Sequence, residues 1–369
     1  MDRKFAVAGV DATTPMVRAA PLMLLAKAQP LFALEDAARG GADADAVHDM
    51  RVASRRLREV MRLLAPVYPG REFKRWYRLV RDVTRALGPV RDADVFIEEF
   101  SALAGELAEG GRRAVAFVVG YRTGTREHEL EVLDRDLAAL DLARARVSFE
   151  ALVSRPMAVV VAGRPLADYA HSAVEERADA VVAAQPGALV ESGVEAQHAL
   201  RIDYKRLRYA VEAFAPCYGE RFDELHATLT AFQDALGELH DLHLFADMLR
   251  DPALRRAAER AGVSGQDMAE VITMIESRAA ERFATFTALA DDHPASELRS
   301  ELLEPLESPP SPDGAPDRLG EAAVYEELPV AAPVIVGDAP WEDGWGDTFR
   351  GLDGADPALP ADDRGSGSA

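Results

Sequence analysis

A stretch of 21 residues occurs twice in the sequence, 150 positions apart. The first copy, HDMRVASRRLREVMRLLAPVY, begins at His48, and the second, HALRIDYKRLRYAVEAFAPCY, begins at His198. They align without a gap and are identical at eight positions. A shorter pair follows at an offset of 149, LGPVRDAD from Leu87 and LGELHDLH from Leu236. A repeat of this kind predicts two structurally similar halves, related by a pseudo-twofold axis.

Helical periodicity runs through the chain from about Pro21 to about Leu289, and no segment alternates long enough to suggest a strand. We therefore predict an all-α fold with two helical halves, residues 16–150 and 160–295, followed by an acidic disordered tail, residues 304–369. Gly88-Pro89 is expected to interrupt a helix, and Pro186-Gly187 to separate two others. The predicted helices lie near residues 21–39, 43–66, 71–88, 92–108, 111–141, 166–184, 194–215, 220–249 and 266–290.

The charge of the chain is unevenly distributed. The formal net charge is −21, which by itself argues against a phosphate-binding protein. From Glu304 onward, however, there are 15 acidic residues and 3 arginines, so this segment alone carries −12. The remaining chain is less acidic, and its basic residues are nearly all arginine, which binds phosphate through two parallel hydrogen bonds.

Basic side chains recur at helical spacing in both copies of the repeat. Steps of three and four residues place them on one face of each helix, where like charges repel unless an anion offsets them. A further basic stripe is predicted on the helix that follows the first copy, but it has no basic counterpart in the second half. The stripes comprise His48, Arg51, Arg55, Arg58 and Arg62; His198, Arg201, Lys205 and Arg208; and Arg78, Arg81 and Arg85.

Sequence motifs for catalysis are missing. The sequence contains no glycine-rich phosphate loop, no G-x-S-x-G and no H-E-x-x-H. His240 and His243 have the spacing of a metal pair, but His240 aligns with Arg91 of the first half, which favours an anion contact. We expect no metal, no cofactor and no catalysis. A nucleic-acid backbone and an enzyme that transfers or hydrolyses phosphate remain as alternatives, although few aromatics are available to stack on bases.

The segments AVHDMRVASRRLRE, LGPVRDADVF, HALRIDYKRLRYAVE and LGELHDLH resemble the two halves of the CHAD family, the conserved histidine α-helical domain, over about residues 16–295. The resemblance implies two four-helix bundles around a basic groove or pore that binds inorganic polyphosphate, and in some members location on polyphosphate granules. It implies that the basic residues named above are ligands. Arg56 and Arg206 are expected to form structural ion pairs with Asp92 and Asp241.

The lone cysteine, Cys217, excludes an internal disulfide, and no segment has the length of a membrane span. We expect a cytoplasmic protein, with polyphosphate as its partner and no membrane association. The acidic, aromatic segment from Trp341 to Phe349 suggests either a protein partner for the tail or competition with the ligand for the basic groove.

Overall fold

The computed structural model describes residues 5–39, 44–68, 70–155 and 163–307. Within these ranges the regular structure consists of α-helices and short 3-10 turns, with no β-strand, which confirms the predicted all-α fold. None of the described helices is long and apolar enough to cross a bilayer. The α-helices are α1 (Met16–Ala33), α2 (Glu35–Ala38), α3 (Ala44–Leu63), α4 (Arg71–Leu103), α5 (Glu109–Leu140), α6 (Leu142–Val153), α7 (Leu166–Ala188), α8 (Val194–Ala213), α9 (Phe222–Arg250), α10 (Pro252–Arg260), α11 (Gly265–Asp292) and α12 (Ala295–Glu307).

The order in which neighbouring helices pack is the same in both parts of the chain. In the first part, α1 packs on α3, α3 on α4, and α4 on α5. In the second part, α7 packs on α8, α8 on α9, and α9 on α11. The parts also contact each other directly, through α3 with α8 and through α5 with α11. A pseudo-twofold relation between the halves, and their boundaries, stay predictions.

Most buried apolar residues of the described chain belong to one of two clusters, and each cluster draws on both parts of the sequence. The large core combines α1, α3, α6, α7, α8 and α12 with one end of α4, α5, α9 and α11. The small core combines α10 with the opposite ends of the same four long helices. Because α4, α5, α9 and α11 each pass from one core to the other, their middle turns lie between two apolar regions.

These middle turns carry half-buried charged side chains, and we call them the polar belt. The belt comprises the half-buried polar and charged side chains within residues 91–95 of α4, 119–132 of α5, 237–244 of α9 and 276–285 of α11. Exposed side chains of these turns, such as His128, are not part of it. Charged groups at this depth require hydrogen-bonding or ionic partners, because burial without them is costly. A site for an ionic ligand is therefore expected at the belt.

The predicted break at Gly88-Pro89 is wrong, because α4 continues through it to Leu103. Packing between α3 and α5 holds the helix on both sides of the proline. The carbonyl oxygen of Pro89 accepts a hydrogen bond from Arg122 Nη2 at 3.2 Å. Similarly, α7 continues through Pro186 and ends at Ala188. Tertiary contacts thus outweigh the local preference of proline to end a helix.

The helices α6, α10 and α12 were not predicted. Asp251 is the N-cap of α10, and its carboxylate accepts hydrogen bonds from the backbone N–H groups of Ala253 and Leu254. In α12, leucines that include Leu302 and Leu306 close the large core. The predicted tail, 304–369, therefore begins within this helix, and beyond Glu307 it lies outside the described residues, as does the segment from Trp341 to Phe349.

Candidate anion-binding site

The first three turns of α3 bring the first copy of the repeat to the polar belt. Arg51 is 7% exposed, and its Nη2 lies 3.2 Å from Asp92 Oδ1 on α4. Its Nη1 also donates to the carbonyl oxygen of Thr84 at 3.4 Å. Burial lowers the pKa of Arg51, and the charges of Arg55 and Arg91 lower it further. These guanidinium groups therefore lie close enough to repel one another.

His48 belongs to the same group. Burial lowers the pKa of this histidine, and the neighbouring charges of Arg91 and Arg55 act in the same direction. Arg55 forms no ion pair with any residue in the part of the chain that the structure describes. The sequence-predicted residues His48, Arg51 and Arg55 are thus brought together, with Arg91 beside them.

The second copy of the repeat reaches the belt from α8. His198 Nδ1 lies 3.2 Å from His240 Nδ1 on α9, and the two ring centroids are 4.4 Å apart. Burial lowers the pKa of His240 to about 3, and the charges of Arg201, His198 and Lys205 contribute. Arg201 and Lys205 are themselves buried. The histidines and cations of the second copy are therefore gathered in one place.

Two aspartates, Asp92 and Asp241, connect the two groups electrostatically. Burial raises the pKa of Asp241, on α9, to about 7, and the charges of Glu99 and Asp92, on α4, raise it further while Arg201 opposes the rise. Carboxylates from both parts of the chain thus lie within electrostatic reach of each other and of both cation groups. The site is therefore a mixture of cations and carboxylates.

The remaining residues of the first stripe contact a different region of α4. The Arg58 guanidinium lies 5.8 Å from the centre of the Tyr77 ring. Arg62 donates to the Tyr77 hydroxyl at 3.1 Å and pairs with Glu59 at 2.9 Å. Both arginines have further interactions, so their contribution to a ligand site stays a prediction.

Arg208 lies in an ionic cluster that joins three helices. Its Nε donates to Gln233 Oε1 at 2.7 Å, and it pairs with Glu212, which is 3% exposed. Glu212 also contacts Arg56 Nε at 3.2 Å and His226 Nε2 at 3.1 Å. This cluster links α3, α8 and α9 and gives Arg208 a structural partner.

Both predicted ion pairs, Arg56 with Asp92 and Arg206 with Asp241, are wrong. Arg56 pairs with Glu212 and not with Asp92, because Asp92 is paired with Arg51. Arg206 pairs with Asp203, one turn away on its own helix, at 3.5 Å, whereas it was assigned to Asp241. Sequence spacing could not reveal Glu212 as the partner of Arg56, since it lies on another helix, whereas the Asp203–Arg206 pair has a helical spacing of three residues.

The third predicted stripe, on α4, lies apart from the contacts described above. Arg78 and Arg85 are exposed, and Arg81 pairs with the adjacent Asp82 at 2.9 Å. Arg78 Nε donates to the carbonyl oxygen of Lys74 at 3.4 Å. No contact among the described residues joins these arginines to the belt, and their role as ligands stays a prediction.

Two cationic or polar residues of the site were not among the predicted ligands. Arg91 and His240 occupy aligned positions in the LG-x-x-[RH]-D motifs, and each stands beside the histidine of its own repeat copy. The recurrence of a basic or imidazole side chain before the aspartate was the available signal. Among the described residues, no group of three His, Cys, Asp or Glu side chains could hold a metal ion.

The fold and the site define a helical protein in which two repeated motifs place cations at a polar belt between two apolar cores. The family model for the CHAD domain matches residues 23–250, more than half of the chain, and the protein belongs to the CHAD family. No curated protein matches this chain.

Two solved structures share the fold. The crystal structure of the CHAD domain from the plant Ricinus communis is 19% identical, with a TM-score of 0.56, and the match covers 82% of this chain and 95% of that one. PptA from Streptomyces chartreusis is 16% identical, with a TM-score of 0.54, and the match covers 79% of this chain and 100% of that one. At these identities the likeness concerns the fold.

Proposed function

We propose that the protein binds inorganic polyphosphate, without catalysis, at the polar belt. The observation that supports this most directly is the convergence of cations from both repeat copies at one layer of the fold. Membership of the CHAD family supports the same ligand. A linear chain of phosphates offers successive anionic oxygens, which arginine and lysine on facing helices bind together through charge-assisted hydrogen bonds.

The acidic residues of the belt influence which anions bind. Arg51 is held by Asp92, so an incoming anion competes with a carboxylate for this guanidinium. Burial raises the pKa of Asp92 despite the opposing charges of Arg51 and Arg122, which indicates a poorly solvated carboxylate. A long phosphate chain contacts several cations at once, and it therefore displaces such a carboxylate more readily than a single phosphate does. The arrangement therefore favours polyphosphate over free phosphate.

The test is a binding titration with two charge-matched double variants. Arg55→Ala with Lys205→Ala removes one cation from each repeat copy, whereas Arg255→Ala with Arg256→Ala removes two exposed arginines from α10. We expect the first variant to lose at least about tenfold in affinity, since each lost phosphate contact is charge-assisted, and the second to bind as the wild type does. Equal losses in both variants would contradict the assignment of the site.

Salt dependence and competition separate this proposal from its rivals. Affinity should fall steeply with salt, because cations that neutralise phosphates release counterions. Single-stranded nucleic acid should compete weakly, and incubation with polyphosphate should release no phosphate. Stronger binding of nucleic acid, or steady phosphate release, would instead favour a nucleic-acid binder or an enzyme.

The proposed setting is the cytoplasm, on polyphosphate granules. A tagged protein should accumulate on these granules, and the double variant Arg55→Ala with Lys205→Ala should become diffuse. Granule location that survives this variant would indicate recruitment through another part of the chain, such as a protein partner of the acidic tail.

A further inference from the structure

The His198–His240 contact is an unusual element of a cation-rich site. The two rings come from α8 and α9, and their Nδ1 atoms are 3.2 Å apart. At this distance one ring donates an N–H and the other accepts it through a lone pair, so one Nδ1 is protonated and the other is not. The same contact forms whether both rings are neutral or the donor ring is a positively charged imidazolium.

The charges around the pair disfavour a positive charge on either ring. Arg201 and Lys205 of α8 face the rings, and burial lowers the pKa of His198 with these two cations adding to the effect. Burial lowers the pKa of His240 to about 3, with Arg201, His198 and His243 as further causes. In the absence of an anion, a further positive charge here is therefore unfavourable.

Neighbouring helices add both signs of charge near the pair. On α9 lie Asp241, His243 and Glu238, and on α4 lie Asp92 and Glu99, which act on Asp241. On α11, Arg282 pairs with Glu238 at 2.7 Å. Arg51 and Arg55 belong to α3, which packs against α8, and the acids Glu175 and Asp179 of α7 are paired with Arg299 of α12. The carboxylates do not offset the cations at the rings.

We propose that the His198–His240 pair is a proton-accepting subsite of the anion site and takes up one proton from solvent when a phosphate chain binds. This inference rests on the proposed function. The proton adds to Nε2 of the ring that donates the N–H···N bond, so that bond is kept as an imidazolium–imidazole contact and no bond is broken. A second proton would turn two N–H groups toward each other, which limits the uptake to one.

The repeat supplies the substitution that tests the proposal. His240 aligns with Arg91, so His240→Arg copies the first half and places a permanent charge where the wild type must acquire one. His198→Gln removes the partner ring with little change in volume and serves as a second variant. His128→Gln is the control, because His128 is a surface histidine of α5 that contacts Glu131.

Calorimetry with long-chain polyphosphate, in buffers of different ionisation heat, measures the protons taken up on binding. A long chain is used because terminal phosphates themselves titrate near neutral pH. We expect uptake to approach one proton near pH 6, and affinity to rise by up to about tenfold per pH unit as pH falls from 8 to 6. His128→Gln should behave as the wild type does.

In His240→Arg and in His198→Gln, we expect the proton uptake to be largely lost. His240→Arg should also bind polyphosphate more tightly than the wild type at pH 8. The difference in affinity between the two proteins should become smaller as the pH falls to 6, where the wild type acquires its own proton. Wild-type binding that is strong but independent of pH would overturn the proton subsite and leave the proposed function standing, whereas absence of binding at every pH would remove the function itself. Uptake that survives both variants but disappears in His48→Gln or Asp241→Asn would assign the proton elsewhere and also overturn the proposal.

Discussion

Gly88 allows Arg51 to reach its place in the belt. A Cβ atom at Gly88 would lie 2.7 Å from Arg51 Nη1, too close for both atoms to remain in position. At the aligned Gly237, no heavy atom of the described chain, apart from the immediate backbone, lies within 4 Å of such a Cβ. The two glycines of the repeated LG motif therefore have different roles.

Gly88→Ala should displace the Arg51 guanidinium from Asp92 and weaken polyphosphate binding several-fold, with the fold intact. Gly237→Ala is the matched control and should leave binding unchanged, while either alanine can gain up to ~1 kcal/mol of helix stability. Titration and thermal unfolding of both variants test this. Equal affinity of the two variants would show that the position of Arg51 is immaterial.

Asp241 makes the stability of the protein depend on pH. Its pKa is raised to about 7 by burial and by Glu99, above the value in an unfolded chain. The folded state therefore binds the proton more tightly, and the stabilisation from this group is full near pH 4 and is lost as pH rises through about 7. Asp241→Asn should raise the free energy of unfolding by ~2–4 kcal/mol at pH 8 and by much less near pH 4. Denaturant titrations at both values measure the difference, and an equal effect at both would contradict the buried carboxylate.

Among the elements, α3, α8 and α9 are held together by one carboxylate. Glu212 of α8 receives Arg56 from α3 and His226 from α9, and it also pairs with Arg208 of its own helix. Burial opposes ionisation of Glu212, but these partners outweigh it and lower its pKa. The cluster fixes the crossing of α3 and α8, which sets how the two stripes meet.

Glu212→Ala should destabilise the protein by ~3–5 kcal/mol, because it leaves two guanidinium groups half-buried without their anion. Glu150→Ala, at an exposed ion pair of α6 with Arg146, should cost less than ~1 kcal/mol. Chemical denaturation measures both. Comparable small losses would show that the cluster does not tie the helices together.

The helical periodicity of apolar residues predicted most of the helices but not all of their ends. The helical faces of α3 and α8 follow directly from the spacing of their apolar residues. The continuity of α4 through Pro89 depends on packing against α3 and α5, which a local pattern cannot show. The nine-residue α10 is too short to give a secure periodic signal, and α12 lies in a stretch whose composition already changes toward that of the tail.

For the whole molecule, the repeat and the resemblance predicted the family and the basic faces. They could not predict that four long helices link two apolar cores, because this depends on how far each helix extends past its neighbours. Nor could they predict which stripe residues meet, as the contact between His198 and His240 joins different helices. The net charge of −21 likewise conceals the clustering of cations from each repeat copy.

The most direct test of the central claim is a crystal structure of the protein with bound polyphosphate. We predict that the phosphate chain lies at the polar belt, contacted by Arg55 and Arg91 from one part of the chain and by Arg201 and Lys205 from the other. A chain bound instead along the exposed face of α4, with the belt unoccupied, would contradict the account.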